Sequence, residues 1–331
     1  MDFRTPVTIT PMPFRLSLAS PVLTLGSCFA KTMGERLREN KFNASVNPLG
    51  TVYNPVSLAR LLDLSRQPHL LSPDRLVQTE GRWRHYDFHS CFAADTPEEL
   101  LAAITRTVQQ TGGFLQTAQC LALTLGTSVA YRLRADGQVV ANCHKAPAAL
   151  FDKSMLRLDE IVSALEASLS AWLSANPSLR IILTVSPVRH VKDTLPVNSA
   201  SKSLLRVACH LLAERSPRMG YFPAYEIMLD DLRDYRFYEA DMIHPTEVAE
   251  TYIWERFAEA CFDEEAKRFL LEWTRIRRDL AHRPFAAHSA AHRRFLAGLE
   301  QKLLRLAAQT DVTEELGCVR RQLATPDENA M

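Results

Sequence analysis

The serine of the segment Gly-Ser-Cys-Phe-Ala at residues 26–30 has the surroundings that a nucleophile in an α/β protein needs. The apolar run Pro21–Leu25 precedes it, and apolar residues at four-residue spacing follow it. This pattern predicts a strand, a tight turn at Gly26 and a helix ending near Asn40. A hydroxyl at that turn lies at the carboxyl edge of the sheet, beside the partial positive charge of a helix N-terminus. Ser27 is therefore a candidate nucleophile, although helix capping is the commoner role of a lone serine at such a turn.

A second candidate site is the acid–histidine pair in Asp241-Met242-Ile243-His244-Pro245. On a turn, residues three apart can face each other, so the carboxylate can accept the Nδ1–H and leave Nε2 to take a proton. We expect Pro245 to start the next helix and to hold His244 in extended backbone. A solvated acid beside a capping histidine is the alternative. Together, Ser27, His244 and Asp241 predict a catalytic triad.

Other polar residues are expected at the same edge. Arg189 and His190 follow the apolar run Arg180–Val185, and His144 follows a hairpin predicted at Asp136–Gly137. These three side chains are candidates for binding a substrate, for example one with an anionic group, and loop salt bridges or caps are the alternative.

Cys28 is expected to be buried, because adjacent side chains on a tight turn diverge and only one of Ser27 and Cys28 can face the groove. The chain lacks CxxC and HExxH spacing and has no carboxylate cluster, so we predict no metal and no cofactor. It also lacks GxGxxG and GxxxxGK[ST], which disfavours a nucleotide- or phosphate-binding protein.

The elements that position these residues follow from the alternation of short apolar runs and longer helical patterns. That alternation predicts a three-layer α/β/α domain with a parallel sheet, of the flavodoxin-like kind. Cys120–Leu125 is a further buried strand, and Asn54-Pro55 and Thr96-Pro97 are typical helix starts.

We predict a hydrolase domain over 1–263, a C-terminal helical extension over 264–323 and a disordered tail over 324–331. The extension has two apolar stripes, broken near Arg283–Pro284, and is expected to form a helical hairpin. Lys267–Arg305 holds ten Lys/Arg against three Asp/Glu. A solvated helix face explains this better than an anionic partner does.

The composition narrows the function classes. The 331 residues carry 39 basic and 38 acidic side chains, a net charge of +1, so no nucleic-acid or membrane partner is expected. The seven scattered cysteines suit reduced thiols, and residues 1–20 have no apolar core of a signal or span. We therefore expect a cytoplasmic protein, while its oligomeric state stays open.

Gly26-Ser27-Cys28-Phe29-Ala30 resembles the name-giving motif of the GSCFA family, which looks like a branch of the SGNH/GDSL hydrolases. The resemblance covers roughly Pro21 to Phe262. It includes Leu125–Ser128, Asn142–Lys145, Ser186–His190, Ser201–Ser203 and the Asp241/His244 pair. It implies that Ser27 is the nucleophile, with His244 and Asp241 completing the triad.

The same resemblance implies an oxyanion hole formed by Ser27, Gly50 and Ser128. Ser128 departs from the SGNH pattern, because a hydroxyl replaces the expected carboxamide, and Asn142 or Asn54 is a substitute donor. A second departure is the absence of an acid before the nucleophile. Removing one such donor costs on the order of a hundredfold in rate.

The implied reaction is hydrolysis of an ester through an acyl-enzyme. An O-acetyl or short acyl group is expected, with a small molecule or a carbohydrate as the alcohol. Two alternatives stay open: a non-catalytic module that binds a sugar or peptide on the same fold, and an acyltransferase that uses the same triad.

Overall fold

The computed structural model describes residues 5–285 and 289–324. The chain divides into two compact units, Met1–Phe262 and Asp263–Met331. The strands are β1 (Val22–Gly26), β2 (Ala44–Thr51), β3 (Leu76–Thr79), β4 (Arg82–His85), β5 (Cys120–Leu125), β6 (Val129–Leu133), β7 (Val139–Val140), β8 (Phe151–Met155), β9 (Arg180–Val185) and β10 (Met219–Phe222). The helices of the first unit are α1 (Cys28–Glu39), α2 (Pro55–Arg66), α3 (Pro97–Thr117), α4 (Leu158–Ala175), α5 (Leu195–Glu214), α6 (Ala224–Glu226) and α7 (Glu247–Cys261).

Five strands form one parallel sheet in the order β10-β9-β5-β1-β2. Numbered by their sequence along the chain, these strands read 2-1-3-4-5 from the β2 edge, which is the flavodoxin-like order. The strand order reverses between β1 and β5. In such sheets ligands bind outside the carboxyl ends of the strands at this switch point. The turn after β1 and the loop after β5 therefore flank the expected binding position.

The sheet is covered on both faces, as the sequence predicts. Residues of one face, such as Leu23, Leu123 and Leu183, belong to the main core together with α2, α3, α4 and α5. The alternate residues, such as Thr24 and Thr124, lie next to apolar residues of α1 and α7. The three-layer α/β prediction is confirmed, because neighbouring residues of a strand point to opposite faces and both faces here need cover.

Two helix starts agree with the predicted caps, and a third differs. Asn54 Oδ1 accepts the Ser57 N–H at 2.8 Å, and Thr96 Oγ1 accepts the Glu99 N–H at 3.2 Å. The last helix of the unit begins at Glu247, not at Pro245. Thr246 caps it, and Pro245 stays extended because it bridges Tyr238.

Two small antiparallel sheets, β3–β4 and β7-β6-β8, accompany the main sheet. The predicted hairpin is confirmed: β6 pairs with β7, and Gly137 takes φ +68° in the turn. Buried Arg75 joins the two sheets. Its Nε lies 2.8 Å from Asp87, its Nη1 lies 3.0 Å from Asp136, and its Nη2 donates to the Val139 carbonyl at 2.9 Å.

The second unit contains α8 (Glu264–Leu280), α9 (Ala290–Leu306) and α10 (Thr313–Ala324). The predicted stripes are buried on α8 and α9, which a Lys302–Asp279 ion pair of 2.9 Å links. Helix α10 is an addition to the predicted hairpin. The sequence did not predict it because it carries little periodic signal, and only Val319 of this helix is buried. The predicted tail lies outside the described residues, apart from Ala324. Within the described ranges, no helix has the length and apolar character to cross a membrane.

Candidate functional site

Ser27 occupies the turn between β1 and α1, at the switch point of the sheet. It is the N-cap residue by backbone position, but its hydroxyl makes no capping hydrogen bond. The residue is fully buried, and its Oγ has no hydrogen-bond partner. Its N–H, an expected oxyanion donor, donates to the Thr124 carbonyl at 3.1 Å. The hydroxyl is thus free of other bonds but covered, and the N–H is committed to the sheet.

Gly26 explains why the turn can be so tight. Its φ is +132°, a conformation that L side chains rarely adopt, and a Cβ there would lie 2.0 Å from the Thr124 carbonyl oxygen. Asn47, which the sequence interpretation missed, accepts the Gly26 N–H on Oδ1 at 3.0 Å. Asn47 itself has φ +41°, and asparagine is one of the few residues enriched in that region. Asn47 therefore fixes the turn from β2.

Asp241 and His244 form the predicted pair. Asp241 Oδ2 lies 2.6 Å from His244 Nδ1, while Oδ1 accepts the N–H groups of Ile243 at 2.8 Å and His244 at 3.0 Å. These bonds, led by the one from the imidazole, lower the pKa of Asp241 to about 2. Both side chains are about half exposed. The pair can hold the imidazole in one tautomer with Nε2 directed away from the carboxylate.

Contacts in the described structure bring the Asp241 turn to the same edge as Ser27 without joining the two. The Arg189 N–H donates to the Ile243 carbonyl at 3.2 Å, which ties the loop after β9 to the histidine turn. The next residue, His190, is edge-on to Tyr53 with ring centroids 5.2 Å apart. The Tyr53 carbonyl in turn accepts hydrogen bonds from backbone N–H groups of the loop after β5. Ser27 Oγ makes no hydrogen bond to His244, so the predicted triad is not closed here.

Cys28 differs from the prediction of a buried thiol. Its side chain is partly exposed, whereas Ser27 is the residue that faces inward. Partial burial raises the pKa of the Cys28 thiol, and the Phe29 N–H and the Lys202 charge act in the opposite direction. The divergence of adjacent side chains holds, but the two residues exchange places relative to the expectation.

Lys202 on α5 is a second residue that the sequence interpretation left without a role. It is 1% exposed, and its Nζ donates to the carbonyls of Gly126 at 2.6 Å and Ser186 at 2.7 Å, just past the ends of β5 and β9. Burial lowers the pKa of Lys202 to about 7. A lysine on the apolar stripe of a helix, three residues before Leu205, was the available signal.

The other oxyanion candidates are occupied in different ways. Ser128 N–H donates to Ser201 Oγ at 2.7 Å, and the Ser128 hydroxyl is buried without a partner. Gly50 packs so closely that a Cβ would lie 2.5 Å from His89 Cβ. Asn142 Oδ1 accepts the His144 N–H at 2.8 Å, and Asn54 Nδ2 donates to the Val140 carbonyl at 3.2 Å. The N–H groups of Cys28 and Phe29, at the start of α1, are the donors that face the partly exposed thiol.

A cleft of about 500 Å³ lies beside the histidine turn. Its walls include Tyr53, Tyr131, Arg189, His190 and Ile243. Arg189 is therefore at the edge as predicted, although its guanidinium lies 3.8 Å from the ring centroid of Tyr238. Burial lowers the pKa of His190 to about 4, so this imidazole is neutral at pH 7, and its Nε2 has no partner. Aromatic walls with a few polar groups suit a small polar ligand.

His144 lies elsewhere. It is 1% exposed, its Nε2 is 2.9 Å from the His85 carbonyl, and its ring stacks on Tyr86. This placement differs from the rim position that the predicted substrate-binding role requires. The reason is the turn that starts at Asn142, which takes His144 to φ +51° and directs its ring into the small core beneath β7.

The fold and this edge define a flavodoxin-like α/β protein with an Asp–His pair at the carboxyl edge of its sheet. Residues 21–257 match the GSCFA family, and residues 273–325 match the C-terminal domain of GSCFA domain proteins. The chain belongs to the GSCFA family. No curated protein matches it.

Proposed function

We propose that this GSCFA protein is an ester hydrolase that works through a covalent acyl-enzyme. The Asp241–His244 pair acts as the base, and the turn Gly26–Cys28 supplies the nucleophile. The observation that carries the proposal is the 2.6 Å contact between Asp241 and Nδ1 of a half-exposed His244 at the carboxyl edge of the sheet. An imidazole held in this way is prepared to take a proton on Nε2.

The strand order supports a relationship to the SGNH/GDSL hydrolases, whose nucleophile also follows the first strand. Ser27 is the nucleophile that this relationship implies. In that role its hydroxyl would need the turn before α1 to open, because Oγ is buried and has no hydrogen-bond partner. Catalytic hydrogen bonds are often loose without substrate, so the unclosed triad is compatible with the proposal.

The substrate would enter the cleft lined by Tyr53, Tyr131 and His190. Its size suits a short acyl ester of a small alcohol or a sugar ring. The same cleft also favours the second candidate, a module that binds such a ligand without cleaving it. That candidate explains the burial of the Ser27 hydroxyl without any opening movement.

The test is hydrolysis of p-nitrophenyl acetate and butyrate by the full chain. We expect saturable hydrolysis that falls at least about 100-fold in kcat/KM in His244→Ala, the range that a general base contributes. His210→Ala is the matched control, since His210 is an exposed histidine on α5 paired only with Glu214 among the described residues. Equal rates in the two variants would refute the hydrolase proposal. Ligand binding without turnover would favour the binding module.

A further inference from the structure

We propose that the nucleophile of this site is the thiol of Cys28 and not the hydroxyl of Ser27. The inference rests on the proposed ester cleavage and names the group that would carry the acyl intermediate. The two residues are neighbours on one turn, and only one of them reaches the surface. Ser27 is fully buried, whereas Cys28 is partly exposed.

The direction of the Cys28 side chain follows from its position on α1. Cys28, Thr32 and Arg36 are spaced four residues apart and lie on one face of the helix. Arg36 donates to the Glu247 carbonyl at 3.4 Å and pairs with Glu250 at 3.6 Å. Thr32 also hydrogen-bonds Glu250. This face of α1 is therefore turned toward the first turns of α7.

Helices α1 and α7 both begin at the carboxyl edge of the sheet. α1 starts directly after β1, and Phe262, just after α7, bridges Leu16 on the segment that leads into β1. One helical turn before Thr32 is Cys28, and one turn before Glu250 is Thr246, two residues after His244. The side-by-side course of the two helices thus places Cys28 alongside the segment that carries the base.

The helix N-terminus and Lys202 favour an anion at Cys28, whereas burial and the Glu250 carboxylate disfavour one. The N–H groups of Phe29 and Cys28 face its Sγ, at the positive end of a 12-residue helix. The ammonium of Lys202 acts on the same sulfur. Two of its three hydrogens are bonded to carbonyls, and the third has no acceptor in the described part of the chain. These groups oppose the desolvation that disfavours a thiolate.

Tyr53 lines the cleft and interacts electrostatically with Cys28, so the thiol lies on the side of the cleft that Tyr53 forms. In the first step His244 Nε2 takes the thiol proton, and Sγ attacks the ester carbonyl carbon. The carbon–oxygen bond to the alcohol breaks, a thioester forms, and His244 returns the proton to the leaving alkoxide. In the second step water loses a proton to His244 and attacks the thioester carbonyl carbon. The carbon–sulfur bond breaks, and His244 returns the proton to the leaving thiolate, which releases the acid and restores the thiol.

Alkylation provides a test that does not need a substrate. The full chain is treated with iodoacetamide at pH 7, and labelling at each cysteine is followed by peptide mass spectrometry. Exposure alone predicts that Cys91 reacts first, because Cys91 is exposed and Cys28 is only partly exposed. We expect Cys28 to react at least tenfold faster than Cys91, and His244→Ala to remove that advantage. Labelling of Cys28 no faster than that of Cys91 would overturn the proposal.

Turnover provides the second test. With p-nitrophenyl acetate and an acid quench, we expect an acetyl group on the peptide that contains Cys28, loss of His244-dependent hydrolysis in Cys28→Ala, and retention of it within about tenfold in Ser27→Ala. If Ser27→Ala loses hydrolysis and Cys28→Ala keeps it, the thiol proposal fails but the hydrolase proposal stands. If no variant or wild-type chain shows His244-dependent hydrolysis, the hydrolase proposal itself fails.

Discussion

At the scale of single residues, the Asp241 carboxylate has two separate tasks. Oδ1 holds the turn by accepting hydrogen bonds from the Ile243 and His244 N–H groups, and Oδ2 accepts a hydrogen bond from the imidazole Nδ1–H. Met242, which follows Asp241, takes φ +58°, and this lets the Ile243 and His244 N–H groups point at one oxygen. The turn geometry and the tautomer therefore depend on different atoms of one side chain, and a substitution can separate them.

Asp241→Asn is that substitution. The asparagine Oδ1 can keep the turn, while its amide group donates to Nδ1 and so places the imidazole proton on Nε2, the wrong tautomer for a base. We expect kcat/KM for p-nitrophenyl acetate to fall about 10- to 100-fold, with little change in melting temperature. A variant with full activity would show that the carboxylate does not set the tautomer during turnover.

At the scale of elements, α2 and α3 approach closely where α3 has two adjacent glycines. A Cβ on Gly112 would lie 2.0 Å from the Ser65 carbonyl oxygen of α2, whereas a Cβ on Gly113 would meet nothing within 4 Å. Both positions are helical, so the backbone preference for alanine over glycine is the same at each. Only the contact with the neighbouring helix differs.

Gly112→Ala and Gly113→Ala therefore form a matched pair. We expect Gly112→Ala to destabilise the fold by at least about 1–3 kcal/mol through overpacking, and Gly113→Ala to stabilise it by about 0.5–1 kcal/mol through helix propensity. Urea unfolding followed by circular dichroism measures both values. Equal effects in the two variants would mean that α2 and α3 are not in contact at this point.

At the scale of the whole molecule, buried imidazoles make stability depend on pH. Burial lowers the pKa of His144 to about 4 from the ordinary value of 6.5. Between these two values the unfolded chain binds a proton that the folded chain does not, so stability falls as the pH is lowered through this window. The pKa of the partly buried His190 is lowered in the same direction, so its effect on stability has the same sign.

We expect the free energy of unfolding to drop by up to about 3 kcal/mol from His144 alone between pH 7 and pH 4. His144→Gln keeps a donor for the His85 carbonyl and cannot titrate. Its unfolding free energy, measured in urea at pH 7, 6 and 5, should change less steeply than that of the wild type. Parallel curves for the two proteins would contradict the assignment.

Local patterns predicted the frame of this protein well, because those patterns act within a few residues. The buried strands β1, β5 and β9, the caps at Asn54 and Thr96 and the Asp241–His244 turn depend on neighbouring side chains and backbone. The short or polar strands β2 and β10 escaped prediction because they are held by pairing with distant segments, and helix α10 escaped it because its sequence carries little periodic signal. Asn47 illustrates this, because its contact with Gly26 crosses from one strand to the next.

The amino-acid sequence alone predicted that the turn after the first strand and the histidine near the end of the domain carry the chemistry of this protein. Only the tertiary structure decided which side chain of the turn is buried, which groups the Lys202 ammonium contacts, and that His144 lies in a core. Burial is a property of what packs against a residue. For Ser27 and Cys28 those neighbours come from β5, α5 and α7, which are remote along the chain and meet at this edge only after folding.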